Sequence, residues 1–347
     1  MIGINGLGRI GRLAVRRFAA TRPHLIRALN DPADLDTLVH LLRHDSIHGQ
    51  PGLAIAGDRR DGQDYLVIGG RPIPLFHEAD PGSLPFAAQG VTVVVESSGR
   101  FTRRADAARH LRDGVAHVVI SAPSPDPDLT VIAPLNGAEL DLDRHRVISN
   151  ASCTAHATAP MLAVLEKAFG IDQAGMSTVH VVTNDQRILD LPHKDHRRAR
   201  AAFRSIIPTT SSAFGALHQA LPWLPHSPKG VEDWGFSGAA LRVPTLSVNL
   251  VDLTATLKRD VTVESVNAAF REASEGWLKD IVSLAPEHTV SSDLTGRPES
   301  VLMDLDLTRV LGGRFVKVFG WHDNETGYAA RLCELVVSIL ETTDARG

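Results

Sequence analysis

The chain predicts two domains in series, an α/β domain built on a mostly parallel sheet and an α+β domain with a largely antiparallel mixed sheet. Short apolar runs alternate with helical stretches as far as Asn150, and beyond it the runs lengthen and follow one another with few helices between. A length of 347 residues also exceeds what one small core organises.

In the first half the strands are Ile2–Ile4, Leu25–Leu29, Val91–Glu96, Val118–Ser121 and Val147–Ser149, with helices at Arg9–Thr21 and Arg103–Arg112. In the second half a helix at Thr154–Phe169 precedes strands at Ser177–Val182, Leu241–Leu257, Ser300–Val310 and Phe315–Trp321, with another helix at Val263–Glu275. The expected domains are residues 1–150 and 151–321, and a C-terminal segment of about 322–347, helical in period over Thr326–Leu340, is expected to pack back onto the first. Pro222–Ser237 has the Pro/Gly/Ser composition of an irregular loop.

Hydrophobic residues make up 43% and charged residues 22%, which is globular usage. Lys+Arg 36 against Asp+Glu 40 gives a net charge of −4, so no global positive field holds nucleic acid or an anionic membrane, and any anion must be bound locally. The two cysteines, Cys153 and Cys333, make no disulfide framework and lack the paired spacing of a zinc site, so no metal is expected and a reducing, cytoplasmic home is. No run reaches the roughly 18 apolar residues of a membrane span, and the opening residues lack the charged and apolar regions of a signal peptide.

Gly6, Gly8 and Gly11 have the G-x-G-x-x-G spacing directly after a strand and directly before a helix. Gly6 makes the turn, Gly8 lets a pyrophosphate approach the backbone, and Gly11 lets helix and strand pack closely. Gly8, Arg9 and Ile10 open the helix, where free N–H groups and partial positive charge face the phosphates. After the second strand comes Asn30-Asp31, and the Asp31 carboxylate can accept from ribose hydroxyls and repel a 2′-phosphate. A tight turn alone would explain the glycines. Strand, helix and acidic residue in register argue instead for a Rossmann-type domain binding NAD.

Cys153 stands at the start of the second-domain helix, where the macrodipole favours a thiolate. Cys333 lies inside an apolar helical run and reads as structural. His180, on the strand beginning at Ser177, is a possible base for the thiol, although it is one of 16 histidines and spacing alone does not select it.

The strings Gly3-Ile-Asn-Gly-Leu-Gly-Arg-Ile-Gly-Arg, His44-Asp-Ser-Ile-His-Gly, Glu96-Ser-Ser-Gly-Arg-Phe-Thr, Ser149-Asn-Ala-Ser-Cys-Thr, Thr183-Asn-Asp-Gln-Arg, Ile206-Ile-Pro-Thr-Thr, Arg242-Val-Pro-Thr and Asp323-Asn-Glu-Thr-Gly-Tyr occur in that order. Taken together the sequence resembles the phosphorylating glyceraldehyde-3-phosphate dehydrogenases over essentially its whole length. The resemblance implies that Cys153 attacks an aldehyde, that His180 takes the proton, and that a thioester is then cleaved by inorganic phosphate. It implies Asn324 at the nicotinamide with Tyr328 nearby, and Ser98 and Ser121 along the cofactor cleft beside Asp31. It implies a substrate-phosphate site at Thr183 and Arg242, and an attacking-phosphate site at Ser152, Thr154 and Ser211. The basic segment from His193 to Arg200 resembles the family's S-shaped loop between subunits, which implies a homotetramer and no nucleic acid, and Asp190-Leu191-Pro192 matches the family's NAD-type residues.

The chain departs from that pattern at Ala155 and His156 after the cysteine, Val181 and Val182 after the histidine, and Ser212 and Phe214 at the second phosphate loop. The connection containing Trp223, Trp234 and Phe236 is also longer than usual. These departures leave open a paralogue acting on another phosphorylated aldehyde such as erythrose 4-phosphate, one using arsenate, an inhibitor-tolerant isoenzyme, or a cofactor-binding regulatory protein without catalysis.

Overall fold

A computed structural model describes residues 1–112, 114–224 and 235–344. It divides into two compact units, Met1–Ser152 with Tyr328–Gly347, and Cys153–Gly327.

The first unit contains β1 (Ile2–Asn5), α1 (Arg9–Thr21), β2 (Ile26–Asn30), α2 (Leu35–Arg43), β3 (Ile55–Arg60), β4 (Gln63–Ile68), β5 (Arg71–Phe76), β6 (Val93–Glu96), α3 (Arg104–Ala107), β7 (His117–Ile120), β8 (Leu129–Thr130) and β9 (Val147–Ser149). The sheet order is β3-β4-β5-β2-β1-β6-β7-β9-β8. From β5 to β8 the pairings are parallel, and β3, β4 and β5 form an antiparallel meander at one edge. The chain leaves β1 toward β2 and returns on the other side at β6, so the strand ends after Asn5 and Glu96 form the switch point where such sheets bind ligands. β1, β6 and β7 are buried throughout, as continuous apolar strands covered on both faces must be.

The second unit contains α4 (Cys153–Phe169), β10 (Ile171–Val181), β11 (Ile207–Thr209), α5 (Ala213–Ala220), β12 (Phe236–Val243), β13 (Asn249–Leu257), α6 (Val263–Glu275), β14 (Val282–Leu284), β15 (Val301–Leu311) and β16 (Phe315–His322). Its sheet runs β11-β12-β10-β13-β16-β15-β14, antiparallel except for the β10·β12 and β14·β15 pairs. Leu241–Leu257, expected as one strand, is two. Pro244 cannot donate to a ladder, and Val248 adopts a left-handed φ of 67°, so the chain turns between β12 and β13. The β13 burial alternates strictly, one face inward against α4. Gly320 on β16 makes room there, because a Cβ would come within 2.9 Å of the Met161 sulfur.

The last helix, α7 (Thr326–Asp344), has its Leu332, Cys333, Val336 and Ile339 in the same core as Ile2, Ile4, Val15 and Phe18 of the first unit. The Arg103–Arg112 helix is shorter than expected, a single α-turn followed by a 3-10 turn. Trp223 is partly exposed and Phe236 opens β12, while Trp234 and most of the Pro222–Ser237 loop lie outside the described residues.

Candidate functional site

In the first unit the glycine turn is shaped for a close visitor. Gly6 has φ +91°, and a Cβ there would sit 2.4 Å from the Ser98 amide nitrogen, so only glycine closes this turn. Gly8, exposed, has open space where a Cβ would stand, and as N-cap of α1 it offers no side-chain acceptor to the helix amides. Those donors are left for an anion, which is what a pyrophosphate requires. The Arg9 guanidinium is held by Asp45 at 2.7 Å, so at the start of α1 Arg9 and Ile10 present their backbone N–H groups rather than a free cation. Burial pushes Asp45 up, but the amides of His48 and Ile47 together with Arg9 outweigh it and hold the carboxyl at about 2.

Asp31 ties the turn together: Oδ2 accepts from the Leu7 amide at 2.7 Å and Oδ1 from the Ala33 amide at 2.9 Å. Each oxygen keeps a second lone pair for a ribose hydroxyl. Beneath it Asn30 donates to Asn5 Oδ1 at 2.7 Å and Asn5 donates to Glu96, whose other oxygen accepts from the Ser98 amide at 2.8 Å. The Ser121 amide donates to the Glu96 carbonyl at 2.9 Å, which fixes Ser121 at the next strand end. Tyr328 is buried, its hydroxyl donating to the Ala151 carbonyl at 3.3 Å. Ala151 has a left-handed φ of 49°, an uncommon conformation for a residue with a Cβ, two positions before Cys153.

In the second unit strand register assembles the reactive groups. β10 and β12 run parallel with His180 beside Arg242, and β11 places Ile207 against Arg242 from the other side. Cys153 opens α4, and its Sγ lies 3.7 Å from His180 Nε2 and 4.0 Å from Thr154 Oγ1. Dense surroundings push the thiol up, and Arg242 and the Thr154 hydroxyl and amide only partly offset this. Desolvation of the half-buried thiol thus works against the thiolate that the helix start was expected to favour. Burial and the Arg242 charge hold His180 well below the ordinary imidazole range. Both shifts favour the uncharged forms, a thiol beside a neutral imidazole.

Arg242 Nη1 lies 2.9 Å from His180 Nδ1, 3.3 Å from the Val181 carbonyl and 3.3 Å from Thr183 Oγ1, while its Nε is buried with no hydrogen-bond partner. A buried unsatisfied guanidinium N–H is costly, and it marks a place for an oxyanion. Ser211 accepts from the Ala213 amide at 3.2 Å at the start of α5, and Ser152 is half-buried immediately before α4. Asn324 Oδ1 is likewise buried with no partner, an acceptor suited to a carboxamide NH₂.

Three residues at this site escaped sequence reasoning. Arg198 lies close enough to lower both Arg242 and His180 electrostatically, and it is held by Asp185 at 2.5 Å and Thr209 at 2.9 Å. It was hidden in a string of basic residues that read as packing. Asn249 and His322 are buried directly behind His180, and nothing in their local sequence marks them. Of the departures, Ser212 has φ −71°, so the glycine lost there leaves no strain, and Phe214 packs on Phe236 with ring centroids 5.7 Å apart.

Family models match both parts of the chain: the glyceraldehyde 3-phosphate dehydrogenase NAD binding domain over residues 1–104, and the C-terminal domain over residues 152–324. The chain is 47% identical over 339 residues to glyceraldehyde-3-phosphate dehydrogenase 1 of Bacillus subtilis, covering 97% of each. It is 48% identical to the enzyme of that name from Geobacillus stearothermophilus, again over 97% of each, and 44% identical to that of Streptomyces coelicolor over 97% of this chain and 98% of the other.

Proposed function

The chain belongs to the glyceraldehyde-3-phosphate dehydrogenase family, and from that premise we propose that it oxidises glyceraldehyde 3-phosphate with NAD and inorganic phosphate to 1,3-bisphosphoglycerate. The observation that carries this reading is the approach of Cys153 Sγ to His180 Nε2 at 3.7 Å, with Arg242 bonded to the other ring nitrogen.

His180 Nδ1 cannot both donate to the Val181 carbonyl at 2.8 Å and accept from Arg242 at 2.9 Å, and a guanidinium only donates. A substrate phosphate seated on Arg242 and Thr183 draws the guanidinium away. Nδ1–H then donates to Val181, and the Nε2 lone pair faces the thiol. His180 takes the Cys153 proton as the sulfur bonds to the aldehyde carbon, the resulting imidazolium donates a hydrogen bond to the alkoxide while that carbon gives up its hydride, and the proton is released to solvent before the next turnover. NAD, when bound, would supply the hydride acceptor that turns this adduct into a thioester on Cys153. Ser152, Thr154 and Ser211, with Arg198 near Arg242, hold the inorganic phosphate whose oxygen attacks the thioester carbon, and the Cys153 sulfur leaves as thiolate. Thr154 and Arg242 stabilise that leaving group, as they do the thiolate electrostatically. Gly8, Arg9, Ile10, Asp31, Ser98 and Ser121 hold the adenosine and pyrophosphate, and Asn324 and Tyr328 the nicotinamide end.

The assembled enzyme is a homotetramer on this reading. Ile188, Leu189, Leu191, Phe203 and Ile206 are exposed within one segment, an apolar cluster suited to a subunit interface. Among the described residues no helix is long and apolar enough to cross a membrane. The two free cysteines support a reducing, cytoplasmic location. The activity is tested by NADH absorbance on mixing enzyme, NAD and glyceraldehyde 3-phosphate with and without phosphate. Phosphate-dependent NADH formation is expected, and its absence overturns the assignment.

A further inference from the structure

We propose that Asn249 and His322 act as positioning residues for His180, a buried polar strut that sets the end of β10 and hence the face His180 turns toward Cys153. The inference rests on the reading of Cys153 and His180 as nucleophile and base.

Asn249 and His322 are directly opposite each other on the antiparallel pair β13·β16, and they are 0% and 1% exposed. The backbone ladder between β10 and β13 extends only to Val179 against Leu250. One step further on, the Asn249 side chain replaces it, with Oδ1 accepting from the Val181 amide at 2.9 Å. That bond fixes which way the amide group points, so Nδ2 is the atom turned to His322 Nε2 at 3.1 Å. Nε2 must then accept, and the His322 proton is on Nδ1, which is buried and has no partner. Burial holds His322 neutral, down at about 3, which keeps Nε2 an acceptor at neutral pH.

The strut ends at the reacting group. The residue whose amide Asn249 grips is Val181, and the Val181 carbonyl is the acceptor for His180 Nδ1 at 2.8 Å. A shift of Val181 moves that carbonyl and rotates the imidazole, changing the Nε2 to Sγ separation of 3.7 Å. A fold that needed only apolar filling at this cross-strand pair would place two aliphatic residues there and leave no orphaned N–H. Arg242, His322 and Arg198 act on His180 electrostatically and the Cys153 sulfur lies 3.7 Å from Nε2, while the acceptor that orients the ring is the Val181 carbonyl at 2.8 Å from Nδ1.

The test is a double-mutant cycle read by the rate of the first NADH burst. Asn249→Ala in the parent enzyme is expected to slow the burst by about 10- to 100-fold, the scale of a misplaced reacting group, with KM for the phosphoaldehyde unchanged. In the His180→Asn background the same substitution is expected to change the rate by less than about twofold, because the group it positions is gone. A second pair covers loss of folding: His322→Gln, whose amide can accept from Asn249, is expected to keep the burst, and His322→Phe to slow it as Asn249→Ala does. The rate of Cys153 alkylation by iodoacetamide across pH should shift in Asn249→Ala and His322→Phe and not in His322→Gln. Equal losses in both backgrounds, or equal rates for His322→Gln and His322→Phe, overturn the positioning role. A Cys153→Ala enzyme that still turns over overturns the catalytic reading instead, so the two failures are told apart.

Discussion

Replacing Arg242 by leucine removes a guanidinium whose Nε is buried with no hydrogen-bond partner. A phosphate placed on the guanidinium would satisfy Nε and one Nη with two charge-assisted hydrogen bonds, each contributing about 1.5–3 kcal/mol. The sum of about 3–6 kcal/mol corresponds to roughly 10²–10⁴-fold in kcat/KM, at about 1.4 kcal/mol per tenfold. Initial rates with glyceraldehyde 3-phosphate should fall by that factor in Arg242→Leu. With unphosphorylated glyceraldehyde they should fall by no more than about tenfold, since no phosphate contact is lost. Arg242 also lowers both the Cys153 thiol and the His180 imidazole, so its loss raises both. Alkylation of Cys153 should accordingly slow at fixed pH, its profile moving to higher pH. Equal losses with the two aldehydes would refute the phosphate argument and leave Arg242 as a partner of the Cys–His pair alone.

Cys153→Ala is expected to abolish turnover while fluorescence titration still reports NAD binding, because the glycine turn and Asp31 belong to the first unit. Asp31→Ser should weaken NAD, since it loosens the Leu7 amide as well as losing ribose acceptors, and should raise the NADP to NAD ratio of kcat/KM by removing the charge that repels a 2′-phosphate. His322 is depressed to about 3 by burial, so the folded protein holds it neutral while the unfolded chain binds a proton below about 6.5. The stability this represents is present above pH 6.5 and is lost as pH falls toward 3, at up to about 1.4 kcal/mol per pH unit. Urea unfolding of His322→Gln should show a flatter acid limb over that window, and an unchanged slope would contradict a buried neutral histidine. Asp45→Asn should lower the melting temperature at pH 7 and match the parent near pH 2, because the substitution keeps an oxygen for the two amides but removes the charge that they and Arg9 stabilise.

What the sequence made legible is what depends on local order along the chain. The glycine turn, its helix and Asp31 lie within 31 residues, and Cys153 opens α4 at a helix start visible from its own neighbours. The parallel strands β1, β6 and β9 read directly from their apolar runs, whereas the edge meander β3 to β5 did not. Its strands carry Asp58, Arg59, Arg60 and Pro72, residues that an exposed edge tolerates and that blur the strand pattern. The long strand expected at Leu241–Leu257 failed for a similar local reason, a proline and a left-handed valine that hydrophobicity does not register.

The partnerships behind the reactive pair belong to register, which no local pattern encodes. Arg242 comes to His180 because β12 pairs with β10 in parallel across an intervening stretch of chain, and His322 comes to Asn249 because β16 pairs with β13. In both cases the sheet decides which side chains meet, and the chemistry follows from that meeting. The departures from the family pattern fit the same logic. Val181 and Val182 replace polar side chains, but the strand uses Val181 through its backbone, which accepts from His180 and donates to Asn249. The Val182 amide donates to the Thr245 carbonyl, so the segment carrying His180 to Thr183 is held by its peptide groups. Apolar side chains at those positions therefore leave the thiol, the imidazole and the guanidinium in contact, and it is this contact that supports dehydrogenase chemistry over a cofactor-binding role without catalysis.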